Sequence, residues 1–167
     1  MPYVPSTVHA GFCDVGCLGT LTIGGYPLNT PAWDVPNPMR LIHDAAVRGE
    51  NVVLPGAPGV RGNPRRLDAA EFELAMFITG AVDAAGVLAT NPWLTLENNL
   101  AALWANVFAP VSTGRGTRAA TLVSASGLTY TATVTMLPLT FPNDFEDPYY
   151  VEATIHLIVT SGRFVRV

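Results

Sequence analysis

AATLVSASGLTYTATVTM, residues 119–136, decides the fold class. Its second half alternates without a break: Tyr130, Ala132, Val134 and Met136 fall between Thr129, Thr131, Thr133 and Thr135. A period of two places successive side chains on opposite faces of a strand. The arms Ala119 to Ser124 and Leu128 to Met136 flank the turn SASG, which predicts a β-hairpin. Downstream, Val151 to Thr160 repeats the pattern, with Val151, Ala153, Ile155, Leu157 and Val159 on the inward face. The piece between them, TFPNDFEDPYY at 140–150, is acidic and broken by proline, hence a loop. Ser161-Gly162 turns the chain, and Arg163 to Val167 is a short terminal strand or a tail.

Working outward toward the N-terminus, Glu71 to Thr79 is a further strand. Phe72, Leu74, Met76 and Ile78 share one face, and Glu71, Glu73 and Thr79 the other, with Phe77 an apolar intruder. Leu18 to Ile23 alternates as well, and Gly24-Gly25 signals a hairpin or bulge. The extended piece Tyr26 to Val35 contains Pro27 and Pro31, which suit an edge or bulged strand because proline cannot donate to a ladder. Met39 to Val47 reads equally as one helical turn or a strand. Residues 1–17 read as an irregular arm with Pro2, Pro5, Gly11 and Gly16 as breakers.

Only one segment has convincing helical periodicity. From Pro92 to Phe108, Trp93, Leu96, Leu100, Leu103, Trp104 and Val107 recur at helical spacing and predict one core-facing stripe, with Asn98, Asn99 and Asn106 elsewhere. Thr90 or Asn91 caps the start, Pro92 suits the first helical position, and Pro110 stops the run. One good helix excludes folds built from alternating βα units. The expected class is mainly β (α+β): an antiparallel β-sandwich or split barrel with one flanking α-helix and a long extended loop, in a single domain over 18–167.

That loop is RGENVVLPGAPGVRGNPRR, Arg48 to Arg66, with seven Gly or Pro residues and four of the nine Arg. Loops of this length are uncommon inside compact domains and usually functional. Proline removes donors and glycine weakens local order, so the segment is not expected to fold on itself readily. It nevertheless carries Val52, Val53, Leu54 and Val60, which a solvated linker would not need. The economical reading is an arm that takes shape against something else, such as a second copy of the chain.

Composition points the same way. Across 167 residues the hydrophobic share is 49% and the charged share only 13%, about half the usual charged fraction. Either contact with partner chains or simple Ala and Val richness accounts for so few charges. Lys and Gln are absent, so every strong base is Arg, a coding bias whose physical consequence is bidentate pairing with carboxylates at interfaces. A formal net charge of −4 argues against a nucleic-acid grip, which needs a basic footprint. It suits a surface past which DNA slides. No run of 18 apolar residues is present, so no membrane-spanning helix is expected, and MPYVPSTVHAGF lacks the basic and apolar regions of a signal peptide.

Catalytic patterns are missing. His9, His43 and His156 stand in no paired-ligand spacing, and no GxSxG, phosphate loop or GxGxxG occurs. Cys13 and Cys17 are too few for a structural zinc site, and no metal or cofactor is expected. Asp144, Glu146 and Asp147 cluster in one loop without an EF-hand pattern, and read as a solvated acidic loop ahead of calcium binding or acid–base work. Arg65 and Arg66 read as salt-bridge partners for carboxylates of a neighbouring chain ahead of a phosphate-binding pair. Tyr149-Tyr150 is an interface anchor or a strand start.

The segment RGENVVLPGAPGVRGNPRR, a strand ending in Gly80, the helix ENNLAALWANVF, the hairpin and the closing strand ending in SGRF together resemble small tail proteins of long-tailed phages and prophages of actinobacteria. These are similar to the split-barrel superfamily of tail-tube and distal tail proteins. Gly49 to Asn51 and Leu54 to Gly56 are the most specific pieces, within a resemblance spanning roughly 18–164. It implies a structural virion protein made in the host cytoplasm, not an enzyme. Its copies would form rings, six being the expected number, as tube subunit or distal tail ring, contacting adjacent rings, the tape measure and other tail proteins while DNA passes through unbound. Arg48, Glu50, Asn51, Leu54, Pro55, Val60, Arg61, Arg65 and Arg66 would then make the inter-subunit loop. Asp144, Glu146, Asp147 and Glu152 would face the lumen. Distal tail proteins often carry a second binding domain, for which this chain has no room, which favours a tube or terminator subunit. The alternatives are a terminator or connector ring, or a soluble jelly-roll module binding sugars or peptides on a platform of Trp33, Tyr149 and Tyr150.

Overall fold

The alternating segment at 129–136 becomes a central strand of a curved antiparallel sheet. The computed structural model describes residues 19–43, 47–48, 52–53, 60–61, 66–67, 69–108 and 116–167. Its strands are β1 (Thr20–Ile23), β2 (Tyr26–Pro27), β3 (Trp33–Asp34), β4 (Val47–Arg48), β5 (Val52–Val53), β6 (Val60–Arg61), β7 (Arg66–Leu67), β8 (Ala70–Ile78), β9 (Arg118–Val123), β10 (Thr129–Met136), β11 (Val151–Val159) and β12 (Val165–Arg166). A single helical turn, α1 (Arg40–His43), precedes β4, so the ambiguous stretch before the arm holds both a turn of helix and the start of a strand. The long helix α2 (Pro92–Leu103) runs on into a π-helical turn, Trp104–Phe108.

The main sheet runs β2-β1-β9-β10-β11-β8-β3, with β12 also on β10. Registers follow the hydrophobic pattern: Ile155 lies opposite Leu74 and Leu157 opposite Phe72, while His156 faces Glu73 on the other side. Slipping any strand by one residue would turn its apolar row to solvent. β11 pairs with Val134 to Met136 of β10, and β12 pairs with Tyr130 and Thr131 of the same strand. The residues between them form a bulge in one long edge, with Gly162 at φ 80° and Phe164 turned into the core.

The sheet curls until its ends meet. β2 and β3, at opposite edges, are joined only by residues 28–32, too short to span an open sheet of this width. Tyr26 and Trp33 stack with ring centroids 6.0 Å apart, and the Trp33 indole Nε1 donates to the Pro27 carbonyl at 3.2 Å. Asn29 completes the seam. Its Oδ1 accepts from the Leu21 amide at 2.7 Å, and its Nδ2 donates to the Asp34 carboxylate and the Val35 carbonyl. Side chains close the barrel where no continuous ladder does, the split-barrel form of the expected class.

The inner face buries Leu21, Ile23, Leu122, Met76, Ile78 and Ile155; α2 adds Leu96 and Leu103 to this core, and the π-helical turn adds Val107 and Phe108. Asn91 caps the helix, its Oδ1 accepting from the Leu94 amide at 3.3 Å, with Pro92 in the first turn. The expected apolar stripe needs correcting. Trp93 and Trp104 are about half exposed, whereas Asn99 is buried and its Nδ2 donates to the carbonyls of Thr79 at 2.8 Å and Val82 at 2.9 Å. At 100° per residue, Trp93 and Trp104 sit about 60° and 80° from Leu96, on the flank of the stripe. The buried line is Leu96, Asn99, Leu103 and Val107.

The arm corrects a second expectation. Val47 pairs with Leu67 and Arg48 with Arg66, and further in, Val52 pairs with Arg61 and Val53 with Val60. These antiparallel ladders are nested in sequence, so the segment does pair with itself. Intra-segment hydrogen bonds satisfy the backbone that a coil would leave to solvent. Neither ladder belongs to the main sheet.

Candidate assembly surface

The acidic residues singled out in the sequence do converge. Asp144, Glu146, Asp147 and Glu152, with Phe141 and Tyr150, line a single groove of about 550 Å³. Glu152 comes from the outer face of β11, opposite Phe77 on β8, and the rest from the 141–150 loop. The loop holds itself in shape: the Tyr149 amide donates to Asp147 Oδ1 at 2.8 Å and the Glu146 amide to the Asp144 carbonyl at 3.0 Å. Such local bonds fix a turn without needing a core. Phe77 and Tyr150 stack at 5.2 Å and anchor the loop to the sheet. Partial burial, then the Glu152 charge, pushes the Tyr150 hydroxyl above its ordinary range. Among the described residues lining it there are four carboxylates and no cation, which makes a negative surface. Among the described residues no group of three or more His, Cys, Asp or Glu is arranged to hold a metal ion.

Beside this groove is an apolar one of about 210 Å³, lined by Leu100, Trp104, Phe108, Leu139, Phe141 and Phe145. Phe141 and Phe145 contact each other at 4.9 Å. Trp104 and Phe145 are each more than two-fifths exposed. Large exposed apolar groups gathered in one place mark contact surfaces more often than isolated ones do. The sequence signal was Trp104 itself, misread as core.

The predicted inter-subunit residues divide. Arg48, Val60, Arg61 and Arg66 lie on the arm's ladders. Glu50, Asn51, Leu54, Pro55 and Arg65 lie outside the described residues, as do the 1–17 arm, His9, Cys13 and Cys17. His156 sits on the outer sheet face, its Nε2 3.1 Å from Thr140 Oγ1 and its Nδ1 3.4 Å from Glu73.

The sugar- or peptide-binding platform does not form. Tyr149 and Tyr150 are exposed, but Trp33 is fully buried at the barrel seam. The extended edge piece expected over Tyr26 to Val35 does form, as β2 and β3, but it closes the sheet and turns Trp33 inward. The Asn29–Asp34 pair was missed altogether, because neither residue belongs to a periodic pattern. Burial holds the Asp34 carboxyl above its ordinary range, partly offset by the hydrogen bonds from Asn29 and the Val35 backbone.

No family model matches the chain, and no curated protein matches it. Solved structures do. The crystal structure of SPP1 Dit (gp 19.1), a hub of the adsorption apparatus in phages infecting Gram-positive hosts, superposes with a TM-score of 0.55 at 14% identity over 86% of this chain. The chain spans 50% of that protein's length. At this identity the likeness establishes a shared fold. A subunit of the PVC contractile injection system sheath–tube complex (TM-score 0.47, 10% identity, 99% of this chain and 98% of that one) and the tube-terminating cap of the anti-feeding prophage (0.41, 8%, 90% and 88%) match more loosely and carry no argument.

Proposed function

We propose that this protein is a structural subunit of a phage tail, with a single split-barrel domain over 18–167 preceded by an arm at 1–17, whose copies close into a ring, six being the expected number. The reading rests on the fold shared with a tail hub protein over most of the chain. The open-ended barrel, the long arm and the low charge content are what a ring subunit needs: heterologous contacts around a closed rotation, with little solvated surface to strip. The ring serves as a tube segment or distal tail ring, and it contacts neighbouring rings, the tape measure and other tail proteins in the virion. Asp144, Glu146, Asp147 and Glu152 face the lumen in this reading, and their charge keeps DNA phosphates from adhering. The role is mechanical, with no substrate and no cofactor. A terminator or connector ring would use the same contacts. Negative-stain microscopy of the purified protein across a concentration series tests the proposal. Rings or short tubes are expected, and a protein that remains single at every concentration, and is absent from purified tails, overturns it.

A further inference from the structure

β8 carries an open edge. Along its nine residues it pairs with β11 throughout, but on the opposite side β3 reaches only Phe77 and Ile78. Among the described residues no strand pairs with 70–76 on that side. Which groups are open follows from the register. The Thr79 amide donates to the Ala32 carbonyl at 2.8 Å, toward β3, and the Gly80 amide donates to the Pro148 carbonyl at 2.7 Å, toward β11. Backbone direction alternates along a strand. The N–H and C=O groups of Glu71, Glu73 and Ala75 therefore point outward from the edge. The side chains of these three residues are exposed as well. An open edge of this length is a template for another strand.

The charges select the occupant. Pairing β8 antiparallel with a second β8 along the whole open edge would set Glu73 against its own counterpart with Glu71 diagonal to it, which is unfavourable. The arm has the opposite character: four Arg against one Glu over 48–66, on a backbone already extended in β4, β5, β6 and β7. We infer that the β8 edge receives the arm of a second copy of this chain, adding it as a strand, with its Arg residues beside Glu71 and Glu73. This rests on the ring reading and names the contact that closes it. The contact is heterologous, arm to edge, so each copy offers both halves and a rotation can close.

Ala75→Pro tests this directly. Proline is tolerated on an edge where its missing N–H faced solvent, so the variant should fold while losing one rung of the added strand. Wild type, Ala75→Pro and the double variant Glu71→Arg/Glu73→Arg are compared by circular dichroism for folding and by sedimentation velocity for assembly. Both variants are expected to fold and to need at least tenfold more protein than wild type to assemble. Adding Arg61→Glu/Arg66→Glu to the double variant should recover assembly. If either variant folds and assembles as wild type does, the edge inference is overturned and the ring reading stands. If wild type stays single at every concentration and is also absent from purified tails, both fall.

Discussion

Asn99→Asp should be the most damaging isosteric change in the helix. Asn99 is 4% exposed, and its amide nitrogen donates to the Thr79 carbonyl at 2.8 Å and the Val82 carbonyl at 2.9 Å. Together these bonds fasten α2 to the chain as it leaves β8. Aspartate has the same shape but presents acceptor oxygens to both carbonyls. Each buried carbonyl left without a donor costs about 1–3 kcal/mol, so the two together cost roughly 2–6 kcal/mol before any charge is buried. In a domain of this size 1 kcal/mol moves Tm by about 2–4 °C, so the shift should be at least about 4 °C at pH 7. Acidification protonates the new carboxyl, which restores one donor and part of the stability. Thermal unfolding followed by circular dichroism at pH 7 and pH 4.5 reads both effects against wild type, with Asn98→Asp on the exposed face as control. If Asn99→Asp melts within a degree or two of Asn98→Asp at pH 7, the hydrogen-bonded clasp does not hold the helix as argued.

Leu103→Ala, at a fully buried position, should cost about 2–5 kcal/mol in urea unfolding, whereas its half-exposed neighbour Trp104→Ala should cost only about 1 kcal/mol; equal costs would return Trp104 to the core. Gly80→Ala should lower the unfolding free energy, read by urea unfolding, by about 1–3 kcal/mol or more, because a Cβ there would collide with the Pro92 carbonyl oxygen and crowd Leu96 and the Pro148 carbonyl. For Asp34, burial raises the folded-state pKa above the unfolded value near 3.8, so the folded state binds the proton more tightly. Its carboxyl therefore costs nothing at pH below 3.8 and costs progressively more stability as pH rises through the folded value. Urea unfolding at pH 4 and pH 7 should show Asp34→Asn gaining on wild type at the higher pH, and a gain at the lower pH contradicts the assignment.

The strands were legible because each has one wet face and one dry face. Ala132, Val134 and Met136, and the alternating rows of β8 and β11, had no second way to satisfy their side chains. The helix was legible in extent but not in facing. Hydrophobicity places tryptophans inside, and only the packed sheet shows that Asn99 is needed there to serve two carbonyls. Its spacing, three after Leu96 and four before Leu103, was the available signal. The barrel seam was hidden for a different reason. Asn29, Trp33 and Asp34 act through contacts between the two ends of a sheet, and such long-range closure leaves no local period. The arm's self-pairing was obscured by its Gly and Pro content, since pairs such as Val52–Val53 with Val60–Arg61 are too short to show alternation. The acidic groove was half visible: Asp144, Glu146 and Asp147 are sequence neighbours, but Glu152 joins them only through the β11 register.

Native mass spectrometry of the assembled protein tests the ring account most directly. A discrete species at six times the 17.7 kDa chain mass is predicted, either from purified protein or released from tails. A single-chain mass in both preparations contradicts it.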